Sequence, residues 1–235
     1  MAEVSPTPVG PSAHAEALRR DGYLLLRGGI PAPWRDPLRA EFDAGEKPNH
    51  QWPVPRGPDW RHSLLDLSPT VQAACRLPEM LAAVGEMIGE TFFLAQVEGR
   101  EPLHGGGHQG LHRDLSSQRP GDTALAIVFL DNYGPANGAT RLVPGSHRHG
   151  TLADYDDATQ AVQLSGQAGD ILVFDADLVH AGSLNATGAR RRSLLLTFFA
   201  EPLYSQHLKT AHLRSVRMEA AWFQPAAVAP GARDG

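Results

Sequence analysis

The stretch G-D-I-L-V-F-D-A-D-L-V-H-A-G at residues 169–182 decides how this chain is read. Gly169-Asp170 is a turn signal, Ile171 to Phe174 an apolar strand, Asp175 and Asp177 its polar end, and the imidazole of His180 follows directly. Outward from this stretch the same texture repeats. Runs suited to strands occur at Tyr23–Leu26, Thr91–Val97, Ala124–Leu130, Ala161–Leu164 and Ser193–Phe199, with turn signals at Gly105-Gly106-Gly107, Pro120-Gly121 and Pro144-Gly145. Short strands separated by turns suit an antiparallel meander or jelly roll better than alternating strand and helix units.

The N-terminal third reads differently. Ala13 to Arg20 suits a short helix that stops at Asp21-Gly22, and Leu38 to Ala44 suits another. From Ser68 to Glu90 the residues Val71, Cys75, Leu77, Leu81, Val84 and Ile88 recur at helical spacing, with Pro78 starting a second helix. Pro48, Pro53, Pro55 and Pro58 leave a long loop between these helices. The expected fold is mainly β with flanking helices, a double-stranded β-helix (jelly roll, cupin-like). One domain is expected over residues 13–225, with flexible termini at 1–12 and 226–235.

Composition narrows the function classes. The net charge of −5 carries no basic block beyond Arg190, Arg191 and Arg192, which argues against a nucleic-acid partner. Cys75 is the single cysteine, so neither a disulfide within the chain nor a thiolate metal cluster is expected. No apolar run approaches the roughly 18 residues of a membrane span, and the N-terminus lacks the apolar core of a signal peptide. A cytoplasmic protein, monomeric or loosely dimeric and without a membrane partner, is the expectation.

The chemistry lies in a second short motif, His112-Arg113-Asp114. In an extended strand, side chains two apart share a face, so the imidazole and the carboxylate can reach one ion. His180 completes a set of two histidines and one carboxylate, the facial triad of non-haem iron(II) oxygenases, with coordination positions left for a bidentate co-substrate and dioxygen. The candidate catalytic and metal-binding residues are therefore His112, Asp114 and His180. If the co-substrate is 2-oxoglutarate, its distal carboxylate needs a cation, and arginine offers two parallel hydrogen bonds. Strand alternation sends Arg190 and Arg192 one way and Arg191 the other, and periodicity does not choose between them.

The order of these motifs resembles a known family. H-R-D at 112–114, N-G-A-T-R-L-V-P-G-S-H at 137–147, G-D-I-L-V-F-D at 169–175, H-A-G at 180–182 and the opening D-G-Y-L-L-L-R-G-G at 21–29 together resemble phytanoyl-CoA dioxygenase-like enzymes. The resemblance implies an Fe(II)/2-oxoglutarate-dependent dioxygenase that oxidises a small-molecule substrate, releasing succinate and carbon dioxide. In that family the arginine for 2-oxoglutarate lies eleven residues after the distal histidine, which selects Arg191. Related halogenases carry a small residue in place of the carboxylate, so the intact Asp114 favours hydroxylation of a metabolite or natural-product intermediate. Desaturation, epimerisation or cyclisation by the same chemistry is one alternative, and a non-catalytic metal-binding jelly roll is another. Gln96 and Thr140 lie near places where polar residues of relatives bind 2-oxoglutarate or substrate, and ordinary strand polarity is the alternative reading of both.

Other polar residues invite simpler readings. His104 and His108 repeat the spacing of His112, but the glycines between them oppose a helix at up to about 1 kcal/mol each, so a loop with a possible substrate contact is expected. Asn137-Gly138 and Pro144-Gly145-Ser146 read as turns, and His147 and His149 as residues outside the metal centre. Trp34, Trp52 and Trp60 are candidates for a substrate pocket or for core packing.

Overall fold

Each helix buries the face that its apolar spacing marks out. The computed structural model describes residues 13–45, 57, 59–61, 68–114, 119–148, 151–213 and 222–224. Helix α1 (Ala13–Asp21) buries Ala15 and Leu18, and the chain turns into strand β1 (Tyr23–Leu26) through Gly22, whose φ of +78° favours glycine. Helix α2 (Arg35–Ala44) buries Leu38 and Phe42, one turn apart; each such side chain contributes about 1.5–3 kcal/mol on leaving water. Helix α3 (Pro69–Ala74) is capped by the Ser68 hydroxyl, which accepts from the Val71 amide at 3.3 Å. Helix α4 (Pro78–Ile88) starts on its proline and ends at Gly89 in the left-handed region. The expected helices are all present within a few residues of their expected bounds. The proline-rich region with Trp52 and the expected flexible termini, 1–12 and 226–235, lie outside the described residues, as does His149.

These helices cover one face of an antiparallel sheet. Its path is β1, β7 (Ile171–Asp175), β4 (Thr123–Phe129), β9 (Ser193–Ala200), β3 (Phe92–Arg100) and β10 (Trp222–Phe223), with β2 (Trp60–Arg61) pairing β3 as well. Alternation divides each strand. Ala124, Ala126 and Val128 of β4, Ile171 and Val173 of β7, and Leu194, Leu196 and Phe198 of β9 pack against Leu38, Phe42, Met80 and Val84 of the helices. The opposite face carries Ile127, Phe129, Leu172 and Phe174, which close on Tyr133, Leu142 and Leu164 beneath a smaller sheet. That smaller sheet has the order β6 (Val162–Gln163), β5 (Arg141–Leu142), β8 (His180–Ala181). A curled antiparallel sheet, flanked by helices and faced by a short second sheet, is the expected jelly-roll arrangement.

Strand β3 contains the irregularity that matters for the site. Its register against β9 shifts between Leu94 and Gln96, the signature of a β-bulge that re-aims the side chains beyond it. Before the shift, Phe92 and Leu94 belong to the helix-facing core; after it, Val97 takes that role. Gln96, Glu98 and Arg100 therefore turn to the interior, paired with Thr197, Leu195 and Ser193 of β9. Without the bulge, strict alternation would send all three into the apolar layer.

The smaller sheet departs from expectation. Strands β5 and β8 have two residues each, and the expected strand at 161–164 shrinks to an exposed pair. The turns at Gly138 and Pro144-Gly145 leave room for little more. His112 and Asp114 do not lie on a regular strand either: a single antiparallel bridge joins His112 to His180.

Candidate metal centre

Backbone pairing brings the two histidines together across the smaller sheet. The His112 amide donates to the His180 carbonyl at 3.0 Å, the His180 amide returns the bond at 2.9 Å, and the Asp114 amide donates to Ala176 at 3.0 Å. The imidazole rings stand 4.5 Å apart. His112 Nε2 lies 3.8 Å from one Asp114 oxygen and His180 Nε2 lies 3.6 Å from the other. One donor atom from each of the three residues falls within 4.8 Å of the others, close enough for one ion to touch all three. The motif thus works from an irregular extended segment, held by these amide bonds in place of a strand.

Hydrogen bonding also sets the donor atoms. His112 Nδ1 lies 2.9 Å from the Gly110 carbonyl and His180 Nδ1 2.9 Å from the Leu178 carbonyl. A carbonyl can only accept, so each Nδ1 carries a proton and each Nε2 presents its lone pair toward Asp114. Burial pushes the His180 imidazole below its usual range, which favours the neutral, ligating form. Its ring is wedged edge-on against Phe174, with centroids 4.9 Å apart. Two imidazole nitrogens and one carboxylate, beside an open space of about 500 Å³ lined by Arg100, Gln109 and Thr140, suit iron(II) with open coordination positions.

A model of the "Phytanoyl-CoA dioxygenase (PhyH)" family matches residues 18–193. The chain belongs to that family. It is 33% identical over 212 residues to the iron/alpha-ketoglutarate-dependent dioxygenase ausU of Aspergillus calidoustus, covering 77% of this chain and 68% of that protein. It is 27% identical over 205 residues to the dioxygenase olcK of Penicillium canescens, with the same coverage of both chains. The crystal structure of AviO1 from Streptomyces viridochromogenes superposes with a TM-score of 0.66 at 22% identity, over 80% of this chain and 94% of that one. With its triad, this phytanoyl-CoA dioxygenase family member is an Fe(II)/2-oxoglutarate-dependent oxygenase acting on a small molecule.

The oxygenase separates its three consecutive arginines cleanly. Arg190 pairs with Glu101 at 2.6 Å and Asp43 at 2.7 Å, and Arg192 with Asp43 at 2.8 Å and Asp131 at 2.9 Å. Arg191 points the other way. It is 2% exposed, its guanidinium lies 4.5 Å from the centre of the Tyr133 ring, and no carboxylate among the described residues pairs with it. Its Nε, the Tyr133 hydroxyl and the Arg100 Nε are buried polar atoms with no hydrogen-bond partner. Burial first, and the charge of Arg191 next, lower the guanidinium pKa of Arg100. Two nearby cations, each with a buried Nε that has no hydrogen-bond partner, fit a dianionic co-substrate. Arg100 is among the described residues that line the cavity beside the triad, and Arg191 is not.

Thr140 is buried and lines the same cavity as His180; Gln96 lines a second, larger one that also reaches His112 and Asp114. Trp60 borders both cavities, while Trp34 packs against the helical core. The segment with His104 and His108 is the expected loop, and His104 contacts the Ala186 carbonyl at 3.1 Å. Neither histidine is among the described residues lining the two cavities. His147 faces Gly22 away from the triad.

Sequence reasoning overlooked the residues that brace the centre. Arg100 donates to Gln109 Oε1 at 2.9 Å, and the Gly182 amide donates to the same oxygen at 3.1 Å. Arg141 donates to the Gly182 carbonyl and, at 2.7 Å, to the Gln109 carbonyl. The loop leading to His112 is thereby tied to the segment leaving His180. Gly182 permits this approach, since a Cβ there would stand 2.6 Å from the Gly107 carbonyl oxygen. Arg141 lies in the N-G-A-T-R-L-V-P-G-S-H motif at 137–147, but its burial has no local signature. Gln109 had no signal at all.

Proposed function

We propose that this oxygenase hydroxylates a small metabolite or natural-product intermediate, using His112, Asp114 and His180 as metal ligands and Arg191 as the anchor of 2-oxoglutarate. The observation that carries this reading is the triad itself: two Nε2 lone pairs and an intact carboxylate converge on one point beside a cavity. With iron and 2-oxoglutarate bound, such a centre couples decarboxylation of the co-substrate to succinate and carbon dioxide with oxidation of a substrate C–H bond, consuming dioxygen.

The chain's own residues supply position and charge. The carbonyls of Gly110 and Leu178 hold the imidazole tautomers, and Arg141 with Gln109 holds the two ligand-bearing segments in register. Arg191, with Arg100 near it, offers cationic donors toward the co-substrate, and Thr140 offers a hydroxyl in the cavity that Arg100 lines. Gln96, in the larger cavity, is placed on the substrate side. The name of ausU, an iron/alpha-ketoglutarate-dependent dioxygenase, supports the same cofactor pair. The β3–β10 pairing, which reaches residues 222–223, supports a single oxygenase domain over 13–225. We place the enzyme in the cytoplasm as a monomer or loose homodimer, without a nucleic-acid partner; no described helix is long and apolar enough to cross a membrane.

Anaerobic titration of the iron(II)-loaded protein with 2-oxoglutarate tests the cofactor assignment. The weak visible charge-transfer band of the chelate is expected, and iron uptake without that band would sink the reading. Product mass then separates outcomes: gain of one oxygen for hydroxylation, loss of two hydrogens for desaturation or oxidative cyclisation, and no change for epimerisation.

A further inference from the structure

The middle residue of H-R-D turns away from the centre that its neighbours form. Side chains alternate along an extended segment, so Arg113 leaves from the face opposite His112 and Asp114. Its guanidinium donates to the Ser146 carbonyl at 2.8 Å and lies 5.7 Å from the centre of the Tyr155 ring. The Tyr155 hydroxyl donates to the same carbonyl at 3.5 Å. Ser146 is 2% exposed, and its hydroxyl accepts from the Val179 amide at 2.8 Å. Val179 immediately precedes His180, and its carbonyl accepts from the Val143 amide at 2.9 Å.

One residue thus meets both ligand-bearing segments. Through its carbonyl Ser146 holds the segment with His112 and Asp114, and through its hydroxyl the segment with His180. The turn that carries it is anchored in turn, since the Gly145 amide donates to the Asp21 carbonyl at 2.8 Å. Backbone bonds leave the His112 segment a freedom that matters for a metal. The His112 and Asp114 amides and the His112 carbonyl all bond to residues 176–180, along one edge. A segment tied along one edge can roll about it, and a roll swings both ligands relative to His180 Nε2. The Arg113 side chain, fastened from the other face to a buried residue, opposes that motion.

We infer that Arg113 and Ser146 are positioning residues of the metal centre, a clamp behind the triad that fixes how His112 and Asp114 are oriented toward His180. This rests on the reading of the triad as the metal site, and it uses different residues from the Arg141–Gln109 contacts. Charge does not explain Arg113. A cation between two ligands repels a dication on Coulomb grounds, so what Arg113 contributes to metal binding comes from the position it enforces.

Anaerobic calorimetry with iron(II) on the full chain, with thermal unfolding of the metal-free protein alongside, tests the clamp. Arg113→Gln should bind iron(II) about tenfold or more weakly, as expected for loss of an outer partner of a ligand set, while its metal-free unfolding temperature stays near that of the wild type. Arg113→Lys, which keeps the charge and a terminal donor, should retain most of the affinity. Ser146→Ala removes the acceptor of the Val179 amide; it should weaken iron(II) comparably and alter the visible bands of the cobalt(II)-loaded protein, which report ligand geometry. The sign separates clamp from charge, because removal of a nearby cation by itself tightens a dication. Iron(II) held as tightly by Arg113→Gln as by the wild type, or more tightly, overturns the inference, as does an equal loss in Arg113→Lys and Arg113→Gln. The Arg113 pair decides even if Ser146→Ala folds poorly. Failure of the wild type to bind iron(II) is a different result, since it removes the metal site itself and not merely its clamp.

Discussion

Replacing Arg191 by glutamine should separate folding from co-substrate binding. In the ligand-free protein Arg191 is a buried cation whose Nε is unmatched. Its stacking on Tyr133 at 4.5 Å returns only about 1–2 kcal/mol, so the variant should unfold near the wild-type temperature when no 2-oxoglutarate is present. With a carboxylate in place, two charge-assisted hydrogen bonds at about 1.5–3 kcal/mol each are at stake. Loss of about 3 kcal/mol weakens binding roughly 100-fold. At a 2-oxoglutarate concentration about 100 times the wild-type dissociation constant, linkage stabilises the wild type by about 2.7 kcal/mol, a rise of about 5–10 °C for a domain of this size. The same concentration then stabilises Arg191→Gln by only about 0.4 kcal/mol, or about 1 °C. The assay is anaerobic thermal unfolding of metal-loaded protein with and without 2-oxoglutarate. Arg190→Gln and Arg192→Gln, whose side chains are engaged by Asp43, Glu101 and Asp131, should retain the rise. A full rise in Arg191→Gln, or its loss in Arg100→Gln alone, would show that the cavity-lining arginine is the anchor and refute the assignment.

Further outcomes follow from the same geometry. His112→Ala, Asp114→Ala and His180→Ala should each abolish iron-dependent 2-oxoglutarate turnover, read as succinate release; full activity in His180→Ala contradicts the metal site. Arg141→Ala frees the Gln109 and Gly182 carbonyls and should lower iron affinity about 10–100-fold, as loss of outer bracing does; calorimetry with iron(II) checks this. Gly182→Ala should impair activity with the chain still folded, because its Cβ would press on the Gly107 carbonyl at 2.6 Å; an unaffected turnover rate argues against tight coupling of the two loops. Asp170→Ala should destabilise the protein by about 2–4 kcal/mol in urea, since this buried carboxylate accepts from Gly28 and Gln167 amides and from Arg27. Burial raises its pKa, but those hydrogen bonds and the Arg27 charge together lower it below the ordinary carboxylate value. The contribution is therefore present above the unfolded pKa of about 3.9 and lost as the pH falls through the folded value. The gap between wild type and Asp170→Ala should narrow in acid, and a gap that widens there reverses the argument.

Local chemistry made much of this protein legible. Proline and glycine punctuation marked the start of α4 and the end of α1, and apolar spacing marked the faces those helices bury, because these signals act within a turn or two of chain. The strands after residue 90 and the ligand set His112, Asp114 and His180 were readable for a related reason: metal ligands must be particular residue types, and few such residues lie beside turns. Spacing also separated Arg191 from its neighbours on alternation alone, without saying which face was buried.

Tertiary structure decided what depends on neighbours distant in the chain. The bulge in β3 depends on its register with β9, and it turns Gln96, Glu98 and Arg100 inward where simple alternation from Phe92 and Leu94 would bury them under the helices. Arg190 and Arg192 meet Asp43 more than a hundred residues away, while Arg191 is left facing Tyr133. Gln109 and Arg141 gain their bracing role only when Gly182 closes against Gly107. The sequence alone determined the chemical groups and the type of metal they can hold; only the folded chain, by pairing strands across long separations, set their polarity and their bracing.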